Sequence, residues 1–99
     1  LDRMDHVYEE RYHQIGLSLK PSEFWRRQGY TTYQKEDVAS FAVPLAGEDN
    51  VLWGSDYPHP DCVWPDSKMV TDKNLGPLGE RIRRKVTCEN AGRLYGFIE

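Results

Sequence analysis

The 99-residue sequence has none of the long apolar runs that mark membrane proteins. A membrane-spanning helix needs about 20 predominantly apolar residues in succession, and no stretch approaches this. The opening segment, LDRMDHVYEE, also lacks the apolar core of a secretory signal peptide. We therefore expect a cytoplasmic protein with no membrane partner.

Cysteine is scarce, and its placement argues against a cysteine-rich metal site. Cys62 and Cys88 form no Cys-x-x-Cys pair and have no histidine at metal-ligand spacing. We expect both to be free thiols in a reducing compartment, with a disulfide between them as the open alternative.

Neither sign of charge is in large excess. With 13 basic and 16 acidic residues, the net charge is −3, which offers no basic surface suited to nucleic acid. The densest basic run, RIRRK at residues 81–85, is interpreted as the solvated face of a helix. The hydrophobic content of 38% is typical of a globular domain, whose core is limited at this length.

The first third of the chain predicts two helices and a strand. Apolar residues at steps of three and four predict an amphipathic helix over residues 1–15, which Gly16 ends. Pro21 opens a short helix that Gly29 closes. The β-branched and aromatic residues of YTTYQ, at 30–34, predict a strand.

A second helix–strand unit follows. We expect Asp37 to cap a helix that ends at Gly47. Its predicted buried stripe consists of Val38, Phe41, Ala42 and Leu45. The next strand, NVLWGS at 50–55, contains an apolar run without alternation, as expected of a parallel strand covered on both faces.

The remainder predicts a loop at 57–66, a short helix at 67–73, a turn at NLGPLG and a helix at about 79–96. We expect TCEN to break and recap the last helix, with Thr87 as the cap, and Asn90 to help cap this helix. The residues predicted to face inward are Ile82, Val86, Ala91, Leu94 and Tyr95. Strands alternating with helices predict an α/β fold with a parallel sheet. Two strands do not form a stable sheet alone, so we expect the rest of a longer chain or further copies as partners.

Two groups of residues are candidates for chemistry. Asp56 and His59 directly follow the second strand, either as ordinary turn residues or as an acid and a histidine delivered to an active site. His6 and His13 share a helix face but lack the i, i+4 spacing at which two imidazoles reach one ion. For them we expect a solvated face with a Glu9–His13 pair.

Two motifs carry a resemblance to a known family. NVLWGSDYPHPDCVWPDS and RKVTCENAGRLYGF resemble the C-terminal part of the amidohydrolase-related (amidohydrolase 2) family, in the metal-dependent amidohydrolase superfamily. RMDHVYEERYHQIGLSLKPSEFWRRQGYTTYQ resembles the family's segment that leads into the seventh strand. The resemblance implies one partial domain over residues 1–99, about the last quarter of a (β/α)8 TIM barrel. It would hold a helix, strand 7, a helix, strand 8 and the C-terminal helices.

The resemblance also implies roles for the candidate residues. Asp56 falls at the end of strand 8, where the family places a catalytic, metal-associated aspartate, and His59 lies near the site. The implied cofactor is a divalent metal, zinc, but its histidine ligands belong to strands that are not in this sequence. A catalytic zinc needs three protein ligands, so we do not expect this chain alone to hold it.

The functional expectation is a segment of a hydrolase or decarboxylase acting on a small-molecule substrate, inactive by itself. One alternative is a self-associating binding or structural module. Another is an enzyme completed across a homo-oligomer, in which Asp56 and His59 of one copy meet His6 or His13 of another.

Overall fold

The structure is a computed structural model that describes residues 1–99. Helix α1 (Asp2–Val7) continues through a π turn (Tyr8–Tyr12) and a 3-10 turn (His13–Ile15), so the predicted first helix is confirmed. The order continues with α2 (Pro21–Gln28), β1 (Thr31–Tyr33), α3 (Ala39–Ala46), β2 (Val51–Trp53) and α4 (Ser67–Leu75). A 3-10 turn (Gly76–Leu78), α5 (Gly79–Arg84), a π turn (Lys85–Glu89) and α6 (Asn90–Leu94) complete the chain.

The two strands form a parallel sheet, as the alternation of elements predicts. Thr31 pairs with Val51 and Tyr33 with Trp53, and α3 provides the crossover between the strands. Because the strands are parallel, both carboxyl ends lie at one edge of the sheet. The fold is thus mixed α/β. No helix combines the length and apolarity needed to cross a membrane.

The core is small and lies between the sheet and the helices. It consists of four buried residues, one each from α3, β2, α4 and the second π turn: Val43, Val51, Leu75 and Val86. Tyr33, Trp53 and Ile82 pack around this cluster while half-buried. Leu75 and the buried Asn74 belong to α4, which corrects the predicted turn at residue 74.

The predicted buried stripe of α3 is wrong. Val38, Phe41 and Leu45 are 60%, 75% and 76% exposed, whereas Ala39 and Val43 are buried. The buried face is formed by Ala39 and Val43, which are four residues apart and so lie on one side, and Val43 packs in the core cluster with Val51 of β2. Apolar side chains on the other side have nothing in the chain to cover them.

Three predicted caps have other roles. The Asp37 carboxylate accepts a hydrogen bond from Lys73 Nζ at 3.0 Å instead of capping α3. The Thr87 hydroxyl donates to the Arg83 carbonyl at 2.8 Å within the helix, and the predicted break is a π turn. Asn90 is buried and bonds to a distant strand, because its amide lies against β2.

The end of the chain also departs from prediction. Leu94 and Tyr95 are exposed because α6 ends at Leu94 and the chain reverses at Gly96, where φ is 74°. The amides of Phe97 and Ile98 then donate to the Gly92 carbonyl at 2.7 and 3.2 Å. The reversal leaves the side chains at 94 and 95 outside the core.

The basic run at 81–85 is tied to acidic side chains. The Glu48 carboxylate accepts hydrogen bonds from Arg81 at 2.5 Å and from Lys85 at 2.6 Å, and Lys85 also pairs with Asp49 at 2.8 Å. Hydrogen bonds from Arg81 and then Lys85 lower the pKa of Glu48 from its ordinary value of 4.5 to about 2. This cluster joins α5 and the following π turn to the residues that precede β2.

The Glu48 cluster predicts a defined pH dependence. Because the pKa of Glu48 is lowered by folding, its stabilising effect is complete above about pH 4.5 and is lost as the pH falls towards 2. Glu48→Gln should therefore reduce the free energy of unfolding at pH 7, with the difference from wild type shrinking below pH 4.5. Urea unfolding at a series of pH values measures this. Glu99→Gln, which removes a carboxylate that forms no ion pair, is the control; equal pH profiles for both variants would contradict the prediction.

Candidate active site

The candidate site is built on the loop that leaves the carboxyl end of β2. Asp56 is the one non-glycine residue with a positive φ, 60°. The left-handed region costs an L-residue about 1–2 kcal/mol, although aspartate is among the residues that tolerate it best. Conformations of this kind occur often at active sites, where the surrounding structure holds them.

The structure brings Asp56 and His59 together. His59 Nδ1 lies 3.7 Å from Asp56 Oδ2, and the His59 amide donates to the Asp56 carbonyl at 2.8 Å. Their side chains are 61% exposed for Asp56 and 65% for His59. The sequence-predicted pair therefore forms an acid–imidazole arrangement that solvent reaches from outside.

Gln34, directly after β1, braces this loop from the neighbouring strand. Its Nε2 donates to the Asp61 carbonyl at 2.5 Å and to the Ser55 carbonyl at 3.4 Å. The Gln34 carbonyl accepts a hydrogen bond from Trp53 Nε1 at 2.8 Å. One residue thus fixes the end of β2 and both sides of the loop that carries Asp56 and His59.

Contacts within the loop add to this brace. The Val63 amide donates to the Ser55 carbonyl at 3.1 Å, which closes the loop on itself. The Tyr57 and Trp64 rings meet edge to face with their centroids 5.3 Å apart. The loop is therefore ordered by several contacts rather than by its prolines alone.

Removing the Gln34 brace should loosen the loop. Gln34→Met keeps the side-chain length but removes the donor. Since one hydrogen bond contributes about 1 kcal/mol, we expect the amides of Cys62 and Val63 to exchange with solvent about fivefold faster. Hydrogen exchange followed by NMR measures this, with Gln28→Met on α2 as the control. Unchanged exchange in Gln34→Met would show that Gln34 does not hold the loop.

Two buried amides fix the strand that delivers Asp56. Asn50 Nδ2 donates to three carbonyls at the end of α2, those of Trp25, Arg26 and Gly29, at 2.8–3.1 Å. Asn90 Nδ2 donates to the carbonyls of Glu48 and Val51, each at 2.8 Å. Both asparagines stand within the motifs that carry the family resemblance, but nothing in their local patterns reveals these distant partners.

The remaining candidates do not join the site. His6 Nε2 lies 3.3 Å from Glu10 Oε2, and Glu9 pairs with Lys20, so the predicted Glu9–His13 pair is wrong. The i, i+4 spacing and the position of Lys20 account for both pairs. Cys62 and Cys88 are free thiols.

Metal-ligating side chains do not gather in this chain. No group of three or more His, Cys, Asp or Glu residues is placed to hold a metal ion. Asp56 and His59 provide at most two ligands, whereas a catalytic zinc site uses three from protein. The residues present therefore do not by themselves fit a complete metal site.

Comparison with known proteins identifies the family. The amidohydrolase family model matches residues 8–97. A 4-sulfomuconolactone hydrolase from Rhizobium radiobacter is 37% identical over 71 residues, a match that covers 64% of this chain and 23% of that protein. A 2-pyrone-4,6-dicarboxylate hydrolase from Comamonas testosteroni is 37% identical over 65 residues, covering 60% of this chain and 21% of that protein. The matches thus span less than a quarter of either relative, and the family match over most of the chain shows that it belongs to the amidohydrolase family.

Proposed function

We propose that this chain is the C-terminal segment of a hydrolase that opens a lactone ring, and that it supplies Asp56 to an active site completed by polypeptide outside these 99 residues. The observation that carries the proposal is the position of Asp56: it follows a parallel strand at its carboxyl end, in a left-handed conformation. Family membership and the names of the two hydrolase relatives support the reaction class.

The fold supports a finer proposal, in which β1 and β2 are the seventh and eighth strands of a (β/α)8 barrel. Their parallel pairing through α3 is the βαβ connection that such barrels repeat. Active sites of these barrels lie at the carboxyl ends of the strands, and both Asp56 and Gln34 follow the carboxyl end of a strand at this edge. A whole barrel takes roughly 250 residues, so other segments would supply the remaining strands.

The proposed chemistry is hydrolysis by an attacking water. The oxygen of the water attacks the lactone carbonyl carbon, and the Asp56 carboxylate accepts the proton that the water loses. The ring C–O bond then breaks, and the leaving oxygen receives a proton to give a hydroxy acid. His59, 3.7 Å from Asp56, orients the carboxylate or exchanges the proton with solvent.

Metal binding belongs to the completed site in this proposal. The resemblance implies a divalent metal, zinc, with Asp56 among its ligands, and the two possible ligands in this chain fall short of the three required. The other ligands would come from outside the chain. We therefore propose that the isolated chain neither holds zinc in stoichiometric amount nor turns over substrate.

A segment exchange tests the function. This chain would replace the matched part of 4-sulfomuconolactone hydrolase, and hydrolysis of 4-sulfomuconolactone and bound zinc would be measured for the chimera and for the isolated chain. We expect the chimera to hydrolyse 4-sulfomuconolactone and the isolated chain not to do so. Stoichiometric zinc and turnover in the isolated chain, lost in Asp56→Asn, would show instead that the chain is a complete enzyme.

One observation favours a second candidate, a self-associating structural module. The apolar outer face of α3 is uncovered, and such faces drive association. Light scattering of the isolated chain over a range of concentrations distinguishes this structural module from the hydrolase segment. A folded monomer at all concentrations would exclude the module.

A further inference from the structure

Two large aromatic side chains stand on the loop that carries Asp56, and both are exposed to solvent. Tyr57 directly follows Asp56 and is 63% exposed, and Trp64 is 61% exposed. The Val63 amide donates to the Ser55 carbonyl at 3.1 Å, so the loop closes and returns Trp64 towards the end of β2. Apolar residues that are exposed singly are common on protein surfaces, but these two lie together beside the candidate site.

The contact between the two rings leaves most of their aromatic surface unused. The ring centroids of Tyr57 and Trp64 lie 5.3 Å apart and the ring planes are inclined at 61°, so the edge of one ring meets the face of the other. This contact covers only one face of one ring. Because both side chains are mainly exposed, their other faces are accessible for stacking against a further flat π-system.

Trp64 differs from the other two tryptophans in how little the fold uses it. Trp25 and Trp53 are half-buried, and their indole N–H groups donate to the carbonyls of Ala46 and Gln34 at 2.6 and 2.8 Å. The indole N–H of Trp64 donates to no group in the chain, and its side chain is mainly exposed. Packing and hydrogen bonding therefore account for the first two tryptophans but not for the third.

The loop holds the aromatic pair in place before any ligand binds. Gln34 donates to the carbonyls of Ser55 and Asp61, and the Val63 amide closes the loop between them. A binding surface that is ordered beforehand loses less conformational entropy when a ligand binds. The backbone beneath Tyr57 and Trp64 is therefore suited to present their rings to a small molecule.

We propose that Tyr57 and Trp64 form the surface that binds the ring of an unsaturated lactone at this site. The proposal rests on the proposed function and names its substrate class. A lactone ring with conjugated double bonds is flat and presents a π face, whereas a saturated lactone ring is puckered and presents C–H groups. Because Tyr57 adjoins Asp56 in the chain, a ring stacked on this pair lies beside the residue that supplies the carboxylate.

The first test measures the binding of 2-pyrone, an unsaturated six-membered lactone, to the isolated chain by NMR. We expect 2-pyrone to shift the Trp64 indole N–H signal saturably, while the indole signals of Trp25 and Trp53 stay in place as internal controls. The comparison ligand is δ-valerolactone, a saturated lactone of the same ring size. It should bind about fivefold more weakly, because it has no π face to stack on the aromatic pair.

A second exposed aromatic pair in the chain provides a matched control. The rings of Tyr95 and Phe97 are also exposed and lie 6.4 Å apart, outside the loop. Their amide signals should not shift with 2-pyrone, and Tyr95→Leu should leave the affinity unchanged. Trp64→Leu should abolish the shift of the Tyr57 amide, whereas Trp64→Phe, which keeps an aromatic face, should retain the affinity within about threefold.

The second test uses the segment-exchange chimera. Trp64→Leu should raise KM for 4-sulfomuconolactone about tenfold and change kcat little, because stacking stabilises the bound substrate and the transition state alike. A purely structural role for Trp64 would instead lower the melting temperature of the chimera and leave KM unchanged, which would overturn the proposal.

The outcomes separate this proposal from the catalytic one. Binding of 2-pyrone that Trp64→Leu abolishes, in a chimera without lactone turnover, would support the aromatic surface and contradict the catalytic proposal. Equal shifts at Tyr95 and Phe97, or equal affinity for δ-valerolactone, would overturn the aromatic surface. Turnover by the chimera with the same KM in Trp64→Leu would also overturn it, while the proposed hydrolase function would stand.

Discussion

Replacing Asp56 by asparagine in the segment-exchange chimera is expected to lower kcat for lactone hydrolysis by about 100- to 10,000-fold, the usual contribution of a positioned general base. Asparagine has almost the same shape as aspartate and tolerates the left-handed conformation at φ 60° equally well. The loop should therefore keep its geometry. The variant loses the negatively charged oxygen that we propose accepts the proton of the attacking water.

Asp61→Asn is the matched control for this prediction. Asp61 lies in the same loop and is exposed, but it contributes backbone groups to the brace: its carbonyl accepts from Gln34 and its amide contacts His59 Nδ1 at 3.4 Å. The kcat of the Asp61→Asn chimera should stay close to that of the unmodified chimera. Equal losses in the two variants would mean that loop charge in general, and not the Asp56 carboxylate, matters for turnover.

The largest expected effect on stability comes from Leu75→Ala. Leu75 is fully buried at the end of α4 and is one of the four residues of the core cluster. Leucine-to-alanine changes in cores cost about 2–5 kcal/mol, through lost burial and the cavity left behind. Native domains are stable by about 5–15 kcal/mol, so this one change should remove a large fraction of the total.

Urea unfolding followed by circular dichroism measures this loss. Met69→Ala, on the same helix but 64% exposed, should change the free energy of unfolding by less than about 0.5 kcal/mol. A similar small change for Leu75→Ala would show that the cluster around Val43 and Val86 does not hold the fold together.

The local sequence pattern predicted the positions of the helices and strands well, but it predicted the burial of side chains poorly. The steps of three and four that predict helices are set by the backbone, so the first helix, α3 and the final helical region are found where expected. Whether a side chain is buried depends on whether another element of the structure packs against it. Phe41 is as apolar as Val43, but Val43 packs in the core cluster with Val51 of the sheet, whereas Phe41 is 75% exposed.

In the candidate site, too, the sequence indicates some residues and not others. The strand followed by GSDYPH indicates Asp56 and His59 from the sequence, since the two candidate residues lie three apart in one loop. Gln34 is not marked, because it acts on Ser55 and Asp61 from another strand. No local signal separates such a glutamine from any other polar residue at a strand end.

The sequence by itself therefore determined the helix–strand order, the parallel pairing, the family and the acid at the end of β2. Only the tertiary structure decided which polar groups support that acid. Gln34 reaches a carbonyl 27 residues away, and Asn90 reaches carbonyls 42 and 39 residues away. Hydrogen bonds and burial join residues that are near in space, and proximity in space is a property of the folded chain, which local spacing does not encode.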